Sequence, residues 1–218
     1  MPLFRQGDNQ CLFIHVPRTG GRYVTSLFDD PEQNIACAYH KLPDSRDKFI
    51  RGLVPMHLHY PLYNFYFPAA HIPHITVVRH PYEKFVSQVT EMTNRLDGDY
   101  HIQLGNLLTS PPKEDIFREF IIFEREVNSY HINWFLPQYK FLSPKTNIWK
   151  YEWGFGEKFV KWVFQKTNIQ LRLRPVEYKR FYTGAPEGST ENKIKFPPQI
   201  KKWVKKYYNQ DYKRLGYV

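Results

Sequence analysis

Apolar residues in this chain alternate between two spacings. The run Cys11 to Val16 (CLFIHV) is continuous and rich in β-formers. It stops at Pro17-Arg18-Thr19-Gly20-Gly21, after which Tyr23, Val24, Leu27 and Phe28 recur at helical spacing. The pattern predicts strand, glycine turn, helix. A second unit of the same kind starts at Ile75, where Ile75 to Val78 (ITVV) reads as a buried strand and Arg79-His80 leads to Pro81 at a first helical position. The helix that follows carries Phe85, Val86, Val89 and Met92 on one face. Between the units, Val54 to Tyr60 (VPMHLHY) reads as a short extended segment and Pro61 to Pro73, rich in proline and aromatics, as a loop.

Further along, Glu114 to Val127 is expected to be helical, Asn147 to Tyr151 (NIWKY) a strand, and Glu157 to Thr167 a helix with Phe159, Val160, Val163 and Phe164 inward. Arg174 to Pro198 lacks periodicity and reads as a long loop. A last helix, from about Pro198 to Leu215, is expected to bury Ile200, Trp203, Val204, Tyr207 and Tyr208 and to stop at Gly216. Strands alternating with helices define the fold class as α/β: a single domain over residues 1–218, with a central parallel sheet flanked by helices. Ligands then bind at the carboxyl ends of the strands, where the glycine turn and Arg79 face one crevice.

Composition narrows the choice of partner. Lysine and arginine outnumber acidic residues 31 to 21, a formal charge of +10, so the partner is expected to be anionic. Nucleic acid, an acidic membrane surface, a polyanionic sugar and a phosphate-rich cofactor all satisfy that. No window approaches the roughly 20 apolar residues of a membrane span, and Met1 to Gln10 has no signal-peptide core. Cys11 and Cys37 form neither a disulfide framework nor a metal cluster, which suits a cytoplasmic location and no metal.

A tight glycine turn that feeds a helix aims backbone N–H groups and the positive end of the helix dipole at one point, which suits phosphate or sulfate. Arg18 adds a permanent cation. The loop lacks the leading glycine and the lysine of nucleotide hydrolases, which disfavours an ATPase. FIHVPRTGGRYVTSLF resembles instead the 5′-phosphosulfate loop of carbohydrate sulfotransferases that use 3′-phosphoadenosine 5′-phosphosulfate. ITVVRHPYEKFVSQ resembles that family's 3′-phosphate element, with Arg79 and Ser87 the matching residues. MHLHYPLY, Met56 to Tyr63, is similar to the His-x-His stretch of heparan 2-O-sulfotransferases and to a His-Phe-Pro segment of related bacterial enzymes, and His59 is common to both. HINWFLPQYKFL, NIWKYEWGFGEKFVKWVFQKTNI and KKWVKKYYNQDYKRLGY extend the likeness to the C-terminus as packing patterns.

The resemblance implies a P-loop-like phosphosulfate-binding loop and in-line sulfuryl transfer to an acceptor hydroxyl on a carbohydrate, anionic carbohydrates included. In it Arg18, Thr19, Gly20, Gly21, Arg22 and Tyr23 hold the phosphosulfate, and Arg79 and Ser87 the 3′-phosphate. Adenosine 3′,5′-bisphosphate is the product. His59 is the implied general base, since neutral imidazole can take the proton of an attacking hydroxyl. Within an extended VPMHLHY only one of His57 and His59 is expected to face the crevice, and the resemblance selects His59. A loop from Thr183 to Phe196, with Lys193, is expected to close over the nucleotide. The chain departs from the family in having Arg18 where lysine is usual, and Arg22 and Tyr23 where a hydroxyl pair often follows the glycines. Tyrosylprotein sulfotransferases share the arginine, so a peptide tyrosine or a small molecule is an alternative acceptor. A nucleic-acid-binding module, drawn from charge and aromatic content, is the rival of another class, and a small-molecule or nucleotide kinase is a third reading.

Overall fold

The computed structural model describes residues 1–29, 31–38, 57–66, 71–95, 135–173 and 198–218. Its centre is a five-stranded mixed sheet built from β1 (Leu3–Gln6), β2 (Asn9–Ile14), β3 (Ala36–Ala38), β4 (His74–Val78) and β5 (Thr146–Lys150) in the order β3-β1-β2-β4-β5. The helices are α1 (Gly21–Phe28), α2 (Tyr60–Tyr66), α3 (Pro81–Arg95), α4 (Glu157–Thr167), α5 (Pro198–Tyr207) and α6 (Asn209–Leu215).

The expected parallel sheet holds for one half only. β2, β4 and β5 are parallel, with Leu12 opposite His74 and His74 opposite Thr146, whereas β1 runs antiparallel to both β2 and β3. The antiparallel half arises from a two-residue turn at Gly7-Asp8 whose glycine has φ 56°, a conformation that costs glycine nothing and lets the chain reverse within the hairpin. Phe4 of β1 stands opposite Cys11 on one side and Cys37 on the other. The two thiols are therefore two strand spacings apart, about 10 Å, too far for a disulfide, and both are free.

The period of two in the central strands sorts their side chains onto two faces. Cys11 and Phe13 of β2 and Ile75 and Val77 of β4 pack with α1 and α4 through Val24, Leu27, Phe28, Phe159 and Val163. Leu12 and Ile14 turn the other way, onto Tyr63 of α2, Leu58 and Phe141. Every residue of β4 is buried, as expected for a strand covered on both faces. A third group, Phe85, Phe135, Trp203 and Tyr208, joins α3 to α5.

Several expectations need correction. Tyr60 to Tyr66 is helical rather than part of a loop, because Pro61 fits a first helical turn and Tyr60 and Tyr63 meet at ring-contact distance across it. Phe164 of α4 is 49% exposed, and Thr167 takes an inward position instead, with its hydroxyl donating to Val163 O. The C-terminal helix breaks at Tyr208, whose buried ring donates its hydroxyl to Phe135 O, and Tyr207 is 36% exposed. Gly216 does end it, in a left-handed conformation. The helix expected over 114–127, the side chains of Val89, Met92 and Ile200, and the loop over 174–197 lie outside the described residues.

Candidate functional site

At the carboxyl end of β2 the chain makes two unusual backbone choices. Arg18 has φ 63° and Gly20 φ 86°. Left-handed backbone is costly for arginine, and such strain concentrates where the surroundings over-determine it. Here the buried Thr19 pins the turn by donating its hydroxyl to Val16 O at 2.9 Å. The first backbone bond of α1 runs from Val24 N to Gly20 O, so the N–H groups of Gly21 and Arg22 have no acceptor within the helix, and Gly20 supplies no side-chain cap. The first turn carries no acidic residue.

The glycines are required by their neighbours as well as by torsion. A Cβ on Gly20 would meet Phe155 at 3.0 Å and Tyr151 at 3.1 Å, and one on Gly21 would lie 1.9 Å from His15 Nε2. His15 therefore lies directly beneath the start of α1. Arg22 is exposed, whereas the ring of Tyr23 belongs to the core against Phe155.

The second element meets this turn at a defined point. Arg18 donates from Nε at 3.2 Å and from an Nη at 3.1 Å to Ser87 Oγ on α3, across 69 residues of sequence. Ser87 thus faces Arg18, and no hydrogen bond among the described residues joins its side chain to Arg79. Arg79, just past β4, lays its guanidinium over the Tyr151 ring at 4.6 Å, and Tyr151 is the ring that closes on Gly20. Among the described residues no carboxylate pairs with the Arg79 guanidinium. Beside Ser87, the fully buried Gln88 has no hydrogen-bond partner at either amide atom among the described residues, an unusual cost for a native interior.

The histidines separate for a reason other than the extended geometry expected of them. The expectation that extension lets only one of His57 and His59 face the crevice is corrected, since residues two apart in an extended segment share a face. The chain instead enters α2 at Tyr60, with Tyr63 N–H donating to His59 O at 3.1 Å. His57 is buried, its Nδ1 lies 2.8 Å from His15 O, and its ring meets that of His15 edge-on. Burial pushes the His57 pKa down to about 4, with the bond to His15 opposing and the charges of Lys84 and Arg22 adding to the fall. His59 is half-buried, and its pKa also lies below the ordinary value, through desolvation first and the charge of Lys140 second. Both rings are thereby favoured neutral at physiological pH. No hydrogen bond or ring contact among the described residues links His59 to the glycine turn.

Several polar residues around this site escaped the sequence reading. His15, Tyr151 and Glu152, whose Oε1 accepts His80 N–H at 2.6 Å, sit in runs read as strand or packing. Gln138 and Asp211 are fully buried, as is Lys84. Burial pushes Lys84 down to about 7 and Asp211 up, and each is drawn back by the charge of the other. The signal available for them was a charged or amide residue inside an apolar face, which helical spacing alone reads as solvated. Lys193 lies outside the described residues.

Among the described residues no three His, Cys, Asp or Glu side chains come together to hold a metal ion, and no helix is long and apolar enough to cross a membrane. Comparison with protein-family models, with curated proteins and with solved structures gives no match to this chain.

Proposed function

We propose that the chain is a sulfotransferase that moves a sulfuryl group from 3′-phosphoadenosine 5′-phosphosulfate to an acceptor hydroxyl, most simply one on a carbohydrate. The observation that carries this reading is the bond from Arg18 to Ser87. It unites the glycine turn and the Arg-x-Pro element, two segments that each resemble a phosphate-binding part of one cofactor site. A helix start with no side-chain cap, a strained arginine beside it and a second arginine with no carboxylate partner among the described residues suit a nucleotide that carries two separate anionic groups.

In the proposed reaction the acceptor oxygen attacks sulfur while the bond from sulfur to the bridging phosphate oxygen breaks. The acceptor proton passes to the neutral His59 imidazole. Charge that builds on the leaving phosphate is met by Arg18 and by the N–H groups of Gly21 and Arg22. What supports this role is chain proximity alone: two residues, at most about 7 Å between Cα atoms, separate His59 from His57, which is bonded to the backbone of His15, and the His15 ring lies beneath Gly21. Arg79 receives the 3′-phosphate. In this reading the sulfuryl transfer itself calls for no metal.

The test is transfer of label from ³⁵S-phosphosulfate to a panel of unsulfated and sulfated glycans, tyrosine peptides and small alcohols, with release of adenosine 3′,5′-bisphosphate followed in parallel. Arg18→Ala is expected to lower kcat about 10²- to 10³-fold, the usual cost of losing a preorganised charge, and Arg18→Lys to keep part of the rate. Turnover unchanged in the alanine variant removes Arg18 from the mechanism. Magnesium-dependent ATP turnover without phosphosulfate turnover selects a kinase instead.

A further inference from the structure

The end of β4 is held by side chains drawn from two remote elements, and they converge on the backbone of Arg79 and His80. The sheet ladder ends at Val78, opposite Lys150, so Arg79 has no strand partner. Gln138 replaces one. Its Oε1 accepts Arg79 N–H at 2.9 Å and its Nε2 donates to Arg79 O at 2.7 Å, so a single buried amide satisfies both backbone groups of a single residue. Gln138 is itself fixed. It opens a short 3₁₀ turn, Gln138–Phe141, preceded by Pro137, which has no side chain able to cap it. Asp211 of α6 does the capping from a distance: Oδ2 accepts Gln138 N–H at 2.8 Å and Oδ1 accepts Tyr139 N–H at 2.9 Å. Lys84, in contact with the same buried region, donates to Leu136 O at 3.3 Å. On the other side, Glu152 grips His80 N–H while Tyr151 carries the guanidinium of Arg79.

We propose that Gln138, held by Asp211, is a positioning residue that sets the direction in which Arg79 presents its guanidinium to the ligand, an inference that rests on reading Arg79 as the 3′-phosphate group's partner. A strand end that only had to be soluble could leave these groups to water. Burying an amide and a carboxylate to hold one residue from both backbone atoms fixes its Cα to Cβ direction, and hence the aim of a long side chain.

The experiment uses the full chain and calorimetric titration with adenosine 3′,5′-bisphosphate and adenosine 5′-phosphate, on the parent, Gln138→Met, Asp211→Asn, Arg79→Ala and the double variant Arg79→Ala/Gln138→Met. The parent prefers the bisphosphate. Gln138→Met is expected to cut that preference at least tenfold by weakening the bisphosphate alone, with the 5′-phosphate Kd unchanged, and Asp211→Asn, which keeps the shape of the side chain, to fall between. In the Arg79→Ala background the Gln138 change is expected to add nothing to the preference. Hydrogen exchange at the Arg79 amide should quicken in Gln138→Met while that at Val77 stays slow, which shows that the clamp has opened in a folded protein. A Gln138→Met protein whose Arg79 amide exchanges faster but whose preference is intact overturns the proposal. So does an equal loss of affinity for both nucleotides, the mark of a merely structural role. A parent protein with no preference at all defeats the reading of Arg79, and the positioning role with it. That failure appears in the parent and so cannot be mistaken for a failure of the clamp.

Discussion

His57 and His59 are two residues apart and chemically identical, and the difference between them comes entirely from what each touches. Residue identity marked both as candidates, and the resemblance chose His59. The sequence carried no sign that His57 would be bound at Nδ1 by the carbonyl of His15, because that bond spans 42 residues. The burial of His57 at that place, which outweighs the opposing bond to His15, makes stability depend on pH. The folded protein holds the His57 pKa at about 4 against an unfolded value near 6.5, so the unfolded chain binds the extra proton between those values. The contribution is fully present above pH 6.5 and is lost as pH falls toward about 4, an effect on the order of 3 kcal/mol. Denaturant unfolding from pH 7.5 to 4.5 is expected to show this fall in the parent and a flatter profile in His57→Gln. A slope equal in both assigns the acid sensitivity to another group. His59→Ala is expected to keep nucleotide affinity and stability but to lose roughly 10²- to 10⁴-fold in kcat, and normal turnover in that variant places the base elsewhere.

Elements whose spacing was unambiguous were legible in position, as α1, α4 and the Pro81 start of α3 lie where apolar periodicity and proline placed them, although Phe164 of α4 faces outward against expectation. β1 and β3 were not, although Gly7-Asp8 carried a hairpin signal, since β1 has only four residues and β3 three and neither spans a clear alternation. The helix at Tyr60 was obscured by proline and aromatic residues that read locally as a loop. The glycine turn was legible as a turn, but its tightness was not. Gly21 in particular is demanded by the His15 imidazole and by no torsion, as it is not among the glycines with positive φ. Gly21→Ala is therefore expected to destabilise the fold by about 1–3 kcal/mol, the usual cost of overpacking, and Gly20→Ala to do so through φ 86° and the Tyr151 and Phe155 rings. Urea unfolding checks both. A Gly21→Ala protein of parental stability would mean that His15 moves aside freely and is no fixed floor for the turn.

On the scale of the whole molecule, the alternation of strands and helices foretold an α/β sheet with the glycine turn and Arg79 at the same end, and the parallel half, β2-β4-β5, provides that arrangement. What could not be read was the wiring beneath it. Gln138, Glu152 and Tyr151 act on the end of β4, and Asp211 on the turn that carries Gln138, across 59 to 73 residues of sequence, and long-range pairs leave no local periodicity. The net charge of +10 is compatible with a nucleotide, a polyanionic acceptor or nucleic acid, so it does not discriminate among the functional readings. The discriminating feature is the 3′-phosphate. A ligand that binds only the native state raises the melting temperature by mass action. The central claim is therefore tested most directly by thermal unfolding in adenosine 3′,5′-bisphosphate, in adenosine 5′-phosphate and in a single-stranded oligonucleotide, with Arg79→Ala alongside the parent. The account predicts a clear rise with the bisphosphate, much less with the 5′-phosphate, and loss of the difference in Arg79→Ala. Equal shifts from both nucleotides in the parent, or a salt-sensitive response to the oligonucleotide with none to the bisphosphate, would contradict it.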